Sequence, residues 1–176
     1  MKRLALVLLL LTSNIYSETI NGYTLPPEPD PKINNSTLLG IDSNNNGLRD
    51  DVERWIYKTY KDKHPIHIDI AMQSGKAWQK VLVDPSKAKQ IYPTVDAPAY
   101  CEGYFRVCVD SSEKNKYSLE RISTSDIFVT TIFDTKERWS AYIKYDSLLS
   151  GDSYTVPRCS EAKKLCNFNT SKYEKK

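Results

Sequence analysis

Between Asp42 and Glu53 the chain reads Asp-Ser-Asn-Asn-Asn-Gly-Leu-Arg-Asp-Asp-Val-Glu, and side-chain oxygens recur through it at alternate positions. Asp42, Asn44 and Asn46 are two residues apart, Asp50 and Glu53 follow, and Gly47 stands in the middle. Short carboxylates and amides at that spacing can turn toward one point, and glycine supplies the left-handed backbone that a tight turn requires. The chemistry such a cluster can do is to hold a hard cation. Calcium takes about six to eight oxygens at roughly 2.3–2.6 Å, which matches this donor set better than the nitrogen and sulfur sets of zinc. The competing reading is a solvated Asn-rich turn, which requires neither acids at three fixed places nor a closing glutamate.

These twelve residues resemble the loop of the calcium hands at every ligand position. The resemblance implies side-chain ligation by Asp42, Asn44 and Asn46, ligation by the carbonyl of Leu48, a direct or water-mediated contact from Asp50, and both carboxylate oxygens of Glu53. Over Leu38 to Lys63, about 25 residues, the chain also resembles the single loops of small exported bacterial proteins that keep the loop and exit helix but lack the entering helix. Two departures bound what carries over. Arg49 occupies the place where paired hands put Ile or Val, and Asn34, Asn35 and Ser36 do not form a long amphipathic entering helix. The ion is therefore expected to be structural, not a switch, with an affinity on the order of 10⁻⁵ to 10⁻³ M.

The elements that position the loop follow from hydrophobic spacing. Val52, Trp55, Ile56 and Tyr60 recur at steps of three and four, which predicts a helix over 51–63 that Pro65 ends. A second helix is expected over 66–83, with Ile66, Ile70, Ala71, Ala77, Trp78, Val81 and Leu82 as its core stripe and Gly75 as a weak point. Asp84 and Pro85 read as a cap and first helical position of a short helix closed by Pro93, and another helix is expected over 97–110. The β-branched run within 117–133 finds no second run to pair with, so it is read as helical. Thr135 caps a helix over 136–149, stopped by Gly151, and a short helix spans 160–166. Before the loop, 18–37 reads as an extended arm, because Pro26, Pro27, Pro29 and Pro31 oppose a helix. The expectation is an all-α domain, 38–176, a compact bundle of five or six helices with one calcium loop and a Pro-rich N-terminal arm.

Residues 1–17 pair Lys2 and Arg3 with the apolar run Leu4 to Leu11, the pattern of a cleaved signal peptide. No run approaches the roughly 20 apolar residues of a membrane span. Of the 25 basic residues, removal of Lys2 and Arg3 leaves 23 against 22 acidic ones, scattered along the chain, which argues against nucleic acid as a partner. A secreted or periplasmic location makes two disulfides the natural state of Cys101, Cys108, Cys159 and Cys166. The two Cys-x6-Cys copies place sulfurs about 10.5 Å apart if helical, too far for a local bridge. Antiparallel helical copies would pair Cys101 with Cys166 and Cys108 with Cys159; if either copy is a loop, local pairing returns.

Other constellations are weaker. His64 and His67 flank Pro65 beside Asp62 and Asp69, where a capping or surface role outweighs a metal or acid-base site. Asp96 with Glu102, or Asp126 with Asp134, could be a carboxylate pair, yet nothing in the sequence brings them together. Tyr57, Tyr60, Trp78, Trp139 and Tyr142 read as core. Asn34, Asn35 and Asn169 fit glycan acceptor sequons. The expected function is non-enzymatic: an exported binding or accessory protein that holds calcium and engages an unknown protein or surface. The alternative is a small exported hydrolase or other enzyme with calcium as scaffold.

Overall fold

The computed structural model describes residues 18–109, 117–119 and 121–174. The leader assigned to 1–17 lies outside them. Among the described residues the chain is all-α, with a single small hairpin. In chain order the elements are β1 (Thr19–Ile20), β2 (Tyr23–Thr24), α1 (Pro31–Asn34), α2 (Asp50–Tyr60), α3 (Ile66–Val83), α4 (Ala88–Gly103), α5 (Asp126–Ile132), α6 (Lys136–Ser147) and α7 (Cys159–Lys164). No helix among these residues is long and apolar enough to cross a membrane.

Helix α3 is the spine. It packs against α2, α4, α5 and α6, and its expected stripe is buried, with Ile66, Ile70, Ala71 and Val81 wholly inaccessible. Such continuous burial explains why α3 tolerates Gly75: a Cβ there would meet both Leu48 methyls at 3.0 Å. The glycine is the notch into which the loop's only large apolar side chain, itself fully buried, is set.

Several expectations are corrected. The arm is not extended throughout. Asn21 and Gly22, at φ +52° and +79°, form the two-residue turn that joins β1 to β2 with Thr19 opposite Thr24, as an Asn-Gly pair favours. Pro31 opens α1 instead of blocking it, since a proline at the first helical position loses no hydrogen bond, and Asp30 caps that turn by accepting from the amides of Lys32 and Ile33. Pro93 does not close a helix. Helix α4 runs from Ala88 to Gly103 through both Pro93 and Pro98, because Ala88, Val95 and Cys101 are buried along its length and that packing outweighs the ~3 kcal/mol cost of an interior proline. It continues as a π-helical turn, Tyr104–Cys108. The helix expected across 117–133 is confined to α5, capped by Ser125. Trp139 is not core: it is 42% exposed and lies against Tyr142.

Both cysteine copies are helical or turn-like and run antiparallel, so the crossed pairing forms. Cys101 bonds Cys166 and Cys108 bonds Cys159, with Cα separations of 4.9 and 5.7 Å. Two disulfides are consistent with an extracellular protein.

Candidate metal centre

The loop folds on itself through the oxygens singled out above. Asp42 accepts from the backbone amides of Asn46 at 3.0 Å and Gly47 at 2.8 Å, one on each carboxylate oxygen. Asn44 Oδ1 and Asn46 Oδ1 accept from the amides two residues ahead, Asn46 and Leu48. Gly47 sits at φ +87° and Asn45 at +54°, which reverses the chain within the turn. Asp50 begins α2, and both of its carboxylate oxygens face the amide of Ser43, at 3.0 and 3.2 Å. Burial holds the Asp50 carboxyl above its ordinary range, opposed by the Ser43 hydrogen bonds.

Glu53 is where these pieces meet. Its side chain is fully buried, and its Oε2 accepts from Asn46 Nδ2 at 2.6 Å and Asn44 Nδ2 at 3.2 Å. Its Oε1 accepts from the Tyr23 hydroxyl at 2.6 Å. Every one of these donors is neutral, and no cation among the described residues forms an ion pair with Glu53. A buried carboxylate held by neutral donors, with Asp42 and Asp50 in the same loop, is a site short of positive charge. Among the described residues no three His, Cys, Asp or Glu side chains gather closely enough to bind a metal by themselves. The structure thus joins Asn44, Asn46 and Glu53 directly, ties Asp42 to the turn amides, and points Asp50 at Ser43. Leu48 lies in the same turn with its side chain in the core and its backbone amide on Asn46. As a donor set, these oxygens fit a hard cation.

Three arginines fix the loop in place, and the sequence reading missed all of them. Arg49, fully buried, donates from Nε to Asp51 at 2.7 Å and from its Nη atoms to the carbonyls of Ile132 and Thr131, and it pairs with Asp134 at 3.0 Å. This explains the departure at the loop's eighth position: the side chain is a spoke into the end of α5. Arg138, also fully buried, donates to the carbonyls of Leu38, Asn34 and Thr37 and to Asn35 and Asp134. Arg54 reaches back to Glu18, Glu28 and the carbonyl of Pro26. One signal was available. Arg138 lies three and seven residues before Ala141 and Tyr145, on the buried stripe of α6.

Asn34 is buried too, its amide nitrogen on Asp51 and its oxygen on the amide of Ile41, so it joins the entering segment to α2 and is shielded as a glycan acceptor. Tyr23 stacks on Tyr57 at 4.4 Å, and burial pushes the Tyr57 phenol up to about 12. The hairpin is thereby laid directly over Glu53.

The remaining candidates separate. His67 is buried, not on the surface, with Nδ1 2.9 Å from the carbonyl of His64. The cavity it lines, about 260 Å³, is walled by Trp55, Lys63, Ser118, Arg121 and neighbours, with no carboxylate among the described residues that line it. Glu102 is buried and accepts from the amides of Ile122 and Ser123 and from the Ser123 hydroxyl. It anchors an irregular segment. Asp134 is occupied by Arg49 and Arg138. Beside the loop, a groove of about 590 Å³ is lined by Leu39, Asp42, Gly47, Lys76, Gln79 and Val83. Gln79 Oε1 is buried and has no hydrogen-bond partner among the described residues, whereas its Nε2 donates to the carbonyl of Leu39. Comparison with protein-family models, with characterised proteins and with solved structures finds no match.

Proposed function

We propose that this is an exported calcium-binding protein in which the ion is structural and the protein acts outside the cytoplasm by binding a partner, not by catalysis. The observation that carries the reading is Glu53, a fully buried carboxylate with three neutral donors and no cation paired with it among the described residues. When bound, calcium supplies the positive charge this site lacks. Asp42, Asn44, Asn46, the carbonyl of Leu48, Asp50 and Glu53 would hold it. An amide is a donor on one edge and an acceptor on the other, so Asn44 and Asn46 serve Glu53 without an ion and can face one with oxygen.

The mechanical consequence lies in the chain itself. Glu53 touches Tyr23 in the hairpin and Asn44 and Asn46 in the loop, and it stands in the first turn of α2. Ordering its carboxylate therefore orders the N-terminal hairpin and the start of the bundle together. Arg49 is spent on α5 and does not bridge to a second loop, which supports a structural ion over a sensor.

Thermal melts in calcium and in chelator test the reading. Calcium at about 100 times its dissociation constant should stabilise the protein by about 2.7 kcal/mol through mass action. Glu53→Gln should melt near the wild type in chelator and gain little in calcium. A wild type indifferent to calcium at about 10 mM, or a Gln variant that keeps the full gain, overturns the assignment.

A further inference from the structure

Away from the loop, a cavity of about 480 Å³ opens between α3, α4 and α6, closed on one side by Tyr154. Its volume is in the range of small-molecule sites, about 300–1,000 Å³. Trp78, Tyr92, Tyr145 and Tyr154 wall it, and Asp96 and Asp146 stand among them. The rings meet at angles: Trp78 and Tyr145 lie 6.0 Å apart and nearly perpendicular, Tyr92 and Tyr154 4.9 Å apart at 51°. They enclose a corner instead of a flat shelf.

Two carboxylates share that corner, and neither forms an ion pair with any cation among the described residues. Among the described residues no Lys, Arg or His lines it, and the lysine on the adjoining part of α4, Lys89, is engaged by Asp152 at 3.3 Å. We propose that this cavity binds an organic cation, a methylated or quaternary ammonium group carrying a short aliphatic arm. The faces of aromatic rings are negative, and they attract cations that carry little ordered water. The carboxylates add formal charge to the lining of the same cavity.

Other ligand classes fit less well. An anion would meet two like charges. A bare divalent ion needs about six oxygens, and here the rings occupy the positions those oxygens would take. Burial alone raises the Asp96 carboxyl above its ordinary range, the mark of a negative group whose hydration has been removed and not replaced. None of these residues belongs to the calcium loop, so the inference stands apart from the calcium reading.

Titration of the full mature chain with choline, and with its neutral isostere 3,3-dimethylbutan-1-ol, decides it, followed by Trp fluorescence and calorimetry. Choline should saturate in the millimolar range and the neutral alcohol should bind at least about tenfold more weakly. Asp96→Asn should weaken choline about tenfold and leave the alcohol unchanged. Tyr154→Ala, at a surface position, should weaken both. Glu137→Gln, an exposed carboxylate in the first turn of α6 and outside the cavity lining, should change neither. Equal binding of choline and the alcohol, no saturation by about 50 mM choline, or an Asp96→Asn variant that melts normally and binds choline like the wild type, overturns the proposal.

Discussion

The segment 18–53 and the segment 159–174 both dock on α3, yet they are attached by opposite chemistries. Gln79 receives the first through the carbonyl of Leu39, and Gln73 receives the second through the carbonyl of Leu165 and the amide of Asn167. Gln73 is satisfied on both edges; the buried oxygen of Gln79 has no hydrogen-bond partner among the described residues. Beyond these two amides the N-terminal segment is held by Arg49, Arg54 and Arg138 and by a buried glutamate, whereas the C-terminal one is held by two disulfides and by rings such as Phe105, Phe168 and Tyr173. The difference teaches where each part is sensitive. One is held by charge, the other by disulfides and rings.

The largest way to break this comparison is to remove both bridges. They are nested, so Cys108–Cys159 closes a separation of 51 residues, and Cys101–Cys166 then adds only a loop of about 15 residues, worth about 3 kcal/mol after the inner bridge's ~4 kcal/mol. Losing about 7 kcal/mol exceeds the whole stability of many domains. A variant with four serines should lack a cooperative urea transition at 37 °C, while Cys101→Ser with Cys166→Ser should fold and lose about 3 kcal/mol. A full near-UV spectrum from the four-serine variant would show that ring packing alone secures this end.

At the charged end the comparable lesion is Arg138→Met. It leaves the carbonyls of Asn34, Thr37 and Leu38 without their donor, while Asp134 keeps Arg49, and a buried acceptor left unpaired costs about 1–3 kcal/mol. Urea midpoints should fall accordingly with an unchanged slope. Arg138→Lys should rescue little, since one ammonium cannot reach acceptors arranged around a planar fork.

How much of this was legible in the residues divides along the same line. Periodicity found α2, α3 and α6, because burying one face of a helix leaves a pattern of apolar types. The Cys-x6-Cys steps carried the pairing, because a helix converts seven residues into a distance no local bridge spans. The turn at 42–53 was legible as a turn, because Gly47 and the short polar side chains that bond its amides are the residues a tight turn requires. The arginine spokes were not, because a charged residue announces burial only through its partners, and apart from Asp134 those of Arg138 lie about a hundred residues away, mostly backbone carbonyls that carry no side-chain signal. Pro93 misled for a related reason. A proline's local penalty is visible in the sequence, while the packing of Val95 and Cys101 that overrides it is not.

Tyr23→Phe is a gentler probe of the charged end. It keeps the ring stacked on Tyr57 and deletes the hydroxyl that donates to Glu53. A hydrogen bond to a charged group is worth about 1.5–3 kcal/mol, so the variant should lose about 1.5 kcal/mol by thermal melt. A hairpin indifferent to this change would mean that Arg54, not Glu53, is what holds it.

The smallest effect is expected in the stapled half, at Asp96 in α4, the helix that carries Cys101. Burial raises this carboxyl in the folded chain above its unfolded value, so ionisation opposes folding at pH above the folded value, and the opposition vanishes once pH drops below the unfolded value. Asp96→Asn should therefore melt slightly higher than the wild type at pH 7, by less than about 0.5 kcal/mol, and equally at pH 3. Adding choline should reverse the order at pH 7, because a cation in the cavity supplies the Asp96 carboxylate with the partner that Asn does not need. If Asn lowers stability at pH 7 in plain buffer, Asp96 already has a cation in the free protein, and the charged and stapled halves are less different than their chemistries suggest.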